Sequence, residues 1–229
     1  MDNTKQDFEK RKSEIDSYFK FLLIFDDDDT KIQYKKNGEI VTEKIQPQFQ
    51  IILIANAFLI LYNLIESTIR NSIIEIYIEV ENDEITFGEL SDNLQKIWIK
   101  QTTDNLKENN FKPDTIRDYV LQLAKDILSN ETIKLSKDKM DFSGNLDAGE
   151  IRKLSDKIGF DKVVNGRNLV KIKNKRNRLA HGEQTFYDVG KDFSVGELTD
   201  FKNETFIYLS EIINNIERFI LEKEYTNQL

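Results

Sequence analysis

Apolar residues recur at helical spacing along most of the chain. Phe8, Ile15, Tyr18, Phe19, Leu22 and Leu23 form one such series, which predicts a helix over residues 4–25 ending near the acidic run Asp26–Asp29, read as a solvated loop. Alternation replaces it only at TKIQYKKNGEIVTEKI, residues 30–45, which turns around Asn37-Gly38 and predicts a small two-stranded hairpin or, failing that, a loop. From Pro47, a residue suited to a helix N-terminus, a long helix should run to about Glu81. Its apolar run IILIANAFLILYNLI, at 51–65, is too short to span a bilayer and reads as a buried core helix. Further helices are expected over about 87–101, with Trp98 in the core, 113–129, 148–158 stopped by Gly159, and 166–181. The last, over about 195–222, carries Phe201, Phe206, Ile207, Leu209, Ile212, Ile213, Ile216 and Ile220. No internal repeat or linker divides the chain, so residues 1–229 read as a single all-α domain, a helical bundle with a small β-hairpin or loop excursion near 30–45.

Two helices carry polar residues where the pattern asks for apolar ones. In the long helix, Asn56, Asn63, Glu66 and Arg70 lie along one stripe, and Glu66 and Arg70 can pair at i,i+4. In the helix over 166–181, Leu169, Ile172, Arg176 and Leu179 recur at spacings of three and four, so Arg176 interrupts an apolar stripe. A guanidinium there keeps its charge and needs a carboxylate, a phosphate or several acceptors to offset its desolvation. Glu66 is the best internal candidate. The neighbouring stripe, Asn174, Asn177, Arg178 and His181, is entirely polar.

Composition narrows the chemistry. With 39% hydrophobic and 32% charged residues and only two prolines, the chain fits a helix-rich soluble protein. The absence of cysteine excludes disulfides, zinc ribbons and thiol nucleophiles, and a single histidine argues against a His-rich metal site; no metal and no cofactor are expected. MDNTKQDFEKRKSEID has no apolar segment of a secretory signal, so a cytoplasmic location and no membrane association are expected. The net charge of −8 is unevenly placed. Between Asp161 and Glu183 stand Lys162, Arg167, Lys171, Lys173, Lys175, Arg176 and Arg178 with no acid among them, and taking these seven charges from −8 leaves −15 on the rest. Such a window could meet phosphate, since charge is sensed within about 8–10 Å, or could be a solvated face balanced by acidic neighbours.

The only histidine, His181, closes this window in KIKNKRNRLAHGEQ, just before Gly182. Gly182 is where a helix C′ glycine is expected, which puts His181 at a helix C-terminus, where the macrodipole favours positive charge. Arg176 and His181 are five residues apart, roughly 140° around an α-helix, so they point different ways unless the arginine bends or the helix changes near its end.

Arg176 and Asn177, followed by His181 after Arg178, Leu179 and Ala180, resemble the R-x4-H motif of the HEPN superfamily. FSGNLDAGEIRKLSDKIGF at 142–160, LVKIKNKRNRLAHGEQTF after it and LYNLIESTIRNSI at 61–73 resemble the HEPN group named after MAE_28990, with the likeness strongest over 61–220. The resemblance implies a metal-independent endoribonuclease of a prokaryotic defence or toxin–antitoxin system, acting as a homodimer whose motif helices meet. It implies that Arg176 and His181 are catalytic with Asn177 as the polar residue between them. Lys171, Lys173, Lys175 and Arg178 would guide the RNA backbone, with Asn63, Glu66 and Arg70 as a supporting polar stripe, and a cognate antitoxin or defence partner would be a further ligand. A non-catalytic HEPN-fold dimer, serving as an interaction or nucleotide-sensing module with Arg176 paired to Glu66, stays open beside it. HEPN toxins modified by an AMP-transferring antitoxin carry a tyrosine two residues after the histidine; here that residue is Glu183 and the nearest tyrosine is Tyr187, which speaks against that regulation.

Overall fold

The structure is a computed structural model that describes residues 1–104, 113–140 and 144–227. Among them lie eight α-helices and one two-stranded sheet, so the all-α expectation holds. Helix α1 spans Asp2–Phe25 and buries Phe8, Ile15, Phe19 and Leu22, while Leu23, expected on the same face, is exposed. Strands β1 (Lys31–Lys36) and β2 (Glu39–Lys44) pair antiparallel from Lys31↔Lys44 to Lys36↔Glu39, and both turn residues, Asn37 and Gly38, have positive φ, as a type I′ hairpin requires.

Helix α2, Pro47–Asn82, is the centre of the bundle and, at 36 residues, about 54 Å long. It packs against α1, α6 (Leu169–Ala180), α7 (Phe186–Gly190) and α8 (Val195–Leu221). Its apolar part is longer than the run at 51–65: it contains an 18-residue window of mean hydropathy 1.8, long and apolar enough to cross a bilayer, of which 44% is buried within this protein. Phe58, Leu61, Tyr62, Ile65, Ile73 and Ile76 of α2 are wholly enclosed or nearly so. Helix α8 packs along α2 and buries Leu209, Ile212, Ile213 and Ile216, and a capping box between Ser194 and Glu197 starts it. Ile207, expected in its apolar stripe, is 60% exposed.

The helix expected over 87–101 begins later. A 3₁₀ turn at Phe87–Glu89, closed by a capping box of Thr86 and Glu89, precedes α3, Asp92–Thr103. Trp98 is buried in it, as expected, against Phe87. Helix α4 runs Pro113–Leu128. Helix α5 spans Ala148–Ile158 and ends at Gly159, the bounds read from the sequence, with Asp147 as its N-cap accepting from the Gly149 and Glu150 amides. It packs on α3. Phe142 and Ser143, at the start of the resembling segment 142–160, lie outside the described residues.

Helix α7 has no counterpart in the sequence reading. Thr185 caps it, and it lies so close to α2 that a Cβ on Gly190 would stand 2.0 Å from the Ile51 carbonyl oxygen. Only glycine fits there.

Candidate functional site

Helix α6 presents its apolar stripe to α2: Leu169, Ile172 and Leu179 are buried, and Arg176 takes the intervening position. Its Nη2 lies 3.7 Å from Oε2 of Glu66, whose other oxygen lies 3.6 Å from Nη2 of Arg70. The internal pairing expected for Arg176 is therefore present, and both its side chain and that of Glu66 remain 25% exposed. The guanidinium also stacks on Tyr62 of α2, with Cζ 4.3 Å from the ring centroid.

Tyr62 does more than underlie the arginine. Its hydroxyl donates to the Gly144 carbonyl at 2.5 Å and accepts from the Leu146 amide at 3.0 Å, so it pins the loop entering α5. Burial pushes the Tyr62 phenol up from its ordinary value, only partly countered by the Leu146 amide, so the hydroxyl stays a neutral donor. The same Gly144 carbonyl accepts from Arg176 Nη1 at 3.4 Å, a long contact. Arg176 Nη1 further donates to Asn177 Oδ1 at 3.0 Å, and Asn177 Nδ2 donates to Asn145 Oδ1 at 2.7 Å. The cluster thus joins α2, α6 and the 144–147 loop.

His181 sits at the C-cap of α6, as its position before Gly182 led one to expect. The Glu183 amide bonds the Arg178 carbonyl and the Gly182 amide the Leu179 carbonyl, with Gly182 at φ 68°: a Schellman ending. The His181 side chain is exposed, and no hydrogen-bond or ion-pair partner holds its imidazole among the described residues. Glu183 is exposed too and makes no ion pair with it there.

The other expected residues are spread out. Lys173 is held at 2.6 Å by Asp147 and Lys175 lies 3.7 Å from Asp192 and over the Phe193 ring, so these two cations meet acids brought by the fold. Burial raises the Asp147 carboxyl, but the Lys173 ammonium and the Glu150 and Gly149 amides outweigh it and hold the group below the usual carboxylate range. Lys171 is exposed, over the Phe201 ring, and Arg178 donates to Gln184 at 3.3 Å. Of the α2 stripe, Glu66 and Arg70 reach the Arg176 cluster, whereas Asn63 is exposed beside a groove against α1 and Asn56 bonds its own helix at the Ile52 carbonyl. Tyr62, Asn145 and Asp147 were not singled out by sequence. Among the described residues no group of three or more His, Cys, Asp or Glu is placed to hold a metal.

No curated protein and no solved structure matches the chain. A family model does: that of the MAE_28990-like HEPN domains, over residues 1–225. With nearly the whole chain matched and a helical bundle that fits, the protein belongs to the MAE_28990-like HEPN family.

Proposed function

We propose that this protein is a metal-independent endoribonuclease of a prokaryotic defence or toxin–antitoxin system, acting in the cytoplasm as a homodimer. The observation that carries the reading is the free, exposed His181 imidazole at the end of α6, five residues beyond an arginine that Glu66, Tyr62 and Gly144 hold in place. Cleavage by 2′-hydroxyl attack needs a proton acceptor, a proton donor on the leaving 5′-oxygen and a cation over the non-bridging phosphate oxygens. One chain has a single histidine. Two chains meeting at α6 supply one imidazole as base and another as acid, with Arg176 against the phosphate and Asn177 orienting it. Lys171 and Arg178, both exposed on α6, would draw in the RNA backbone. The products would be a 2′,3′-cyclic phosphate and a 5′-hydroxyl. Cleavage of total cellular RNA by wild type and its loss in a His181→Ala variant that stays dimeric by sedimentation would support the reading; equal cleavage by both would overturn it.

A second reading is favoured by the Arg176–Glu66 contact. A guanidinium already paired has less to offer a phosphate, as in a non-catalytic dimeric interaction or nucleotide-sensing module of the same fold. Absence of cleavage by either protein, with a stable dimer, would support this module.

A further inference from the structure

The Arg176 cluster contains a hydrogen-bond chain whose direction is fixed from one end. A guanidinium can only donate, so Arg176 Nη1 meets the oxygen of the Asn177 side chain, at 3.0 Å, and the Asn177 nitrogen must point elsewhere. That nitrogen donates to Asn145 Oδ1 at 2.7 Å, which turns the Asn145 nitrogen outward. Both ends of the Asn177 amide are thereby occupied. Asn145 is exposed, and its Nδ2 has no hydrogen-bond partner among the described residues. An unused amide donor therefore stands at the open end of the chain, in an orientation that the arginine sets.

The backbone around Asn145 is anchored on both sides. The Gly144 carbonyl accepts from the Tyr62 hydroxyl at 2.5 Å, and the Leu146 amide donates to the same oxygen at 3.0 Å. Asp147 caps α5 and holds Lys173 at 2.6 Å. A donor fixed in advance needs no reorganisation when charge develops beside it, which is what stabilisation of an oxyanion requires. Because Glu66 already offsets part of the Arg176 charge, a neutral amide adds a donor that no carboxylate has claimed.

Asn145 also helps with the angle between Arg176 and His181, which are roughly 140° apart around α6. Asn177 and His181 are joined by the α-helical bond from the His181 amide to the Asn177 carbonyl, at 2.9 Å, and so share a face. Asn145 is thus two hydrogen bonds from the guanidinium and bonded to the residue one turn before the imidazole.

We propose that Asn145 contacts the scissile phosphate, its Nδ2 donating to a non-bridging oxygen beside Arg176 in an orientation set through Asn177. This role rests on the reading of Arg176 and His181 as the cleavage centre. It adds a residue of the loop before α5 to a centre whose other members stand on α6.

Asn145→Asp discriminates contact from support, because a carboxylate still accepts from Asn177 and keeps the loop bonded to α6 but no longer donates. Asn145→Ala removes both functions without adding charge. Total-RNA cleavage by the full chain, compared at low and raised salt, is expected to fall about 10²–10³-fold in both variants, as when one oxyanion donor is lost elsewhere. The melting temperature of Asn145→Asp should stay at the wild-type value. Cleavage by Asn145→Asp at the wild-type rate, or a loss that disappears when salt screens its new charge, overturns the proposal and leaves the His181 reading standing. If wild type leaves RNA intact, the cleavage reading fails, and titration with a 2′-O-methyl oligonucleotide at raised salt judges the contact alone. Binding weakened about tenfold in both variants supports it; binding that is unchanged, or absent in wild type, overturns it.

Discussion

The Arg176 guanidinium carbon lies over the Tyr62 ring, 4.3 Å from its centroid, with Glu66 3.7 Å from one of the guanidinium nitrogens. A planar cation suits this position because it stacks and forks at once, which an ammonium cannot. Arg176→Lys should therefore lower stability by about 1 kcal/mol, roughly the worth of a partly desolvated cation–π contact. Urea unfolding checks this, and an unchanged midpoint would mean that the stack contributes nothing.

Tyr62→Phe separates the ring from the hydroxyl. The ring still underlies Arg176, but the Leu146 amide loses its acceptor and the Gly144 carbonyl its short donor. A loss of about 1–3 kcal/mol is expected, chiefly the cost of leaving the buried Leu146 amide unpaired. Faster amide exchange at Leu146 in that variant would place the loss in the 144–147 loop.

Asp147 links α5 to α6, capping one and holding Lys173 of the other. Its carboxyl titrates below the usual range when folded, so its contribution is fully present above the unfolded value of about 3.9 and fades as pH falls through the folded one. The stability gap between wild type and Asp147→Ala should be constant near neutral pH and shrink below about pH 4. Unfolding curves across that range test the sign; a gap that widens in acid would contradict it.

Gly190→Ala would drive a Cβ into the Ile51 carbonyl at 2.0 Å, so α7 must move off α2. A loss of about 1–3 kcal/mol is expected by thermal unfolding, in line with overpacking elsewhere. Gly88→Ala, where a Cβ meets nothing within 4 Å, is the control and should stay within about 0.5 kcal/mol.

Much of the fold was legible because local signals set it. Asn37-Gly38 marks the hairpin, Gly159 stops α5, and the apolar periods give α1, α2 and α8. Helix α7 is not legible in the sequence because five residues are too few to show a period, and its place depends on Gly190 meeting α2. The sequence pattern puts the start of α6 at 166, three residues early, because Gly166 takes positive φ over Tyr208. At the site, Arg176 stood out as a charge in an apolar stripe, and its pairing with Glu66 could be anticipated. Tyr62 could not: it sits in an apolar run like any core residue, and its partners are 82 and 84 residues away. The basic window also looked freer than it is, since the acids that hold Lys173 and Lys175 stand outside it, at Asp147 and Asp192.

The central claim is that His181 transfers the proton in RNA cleavage. Purified wild type and His181→Ala, each incubated with total RNA in EDTA and followed by end-group analysis of the fragments, test it most directly. The account predicts 2′,3′-cyclic phosphate and 5′-hydroxyl ends made by wild type alone. The same ends made equally by the variant would contradict it.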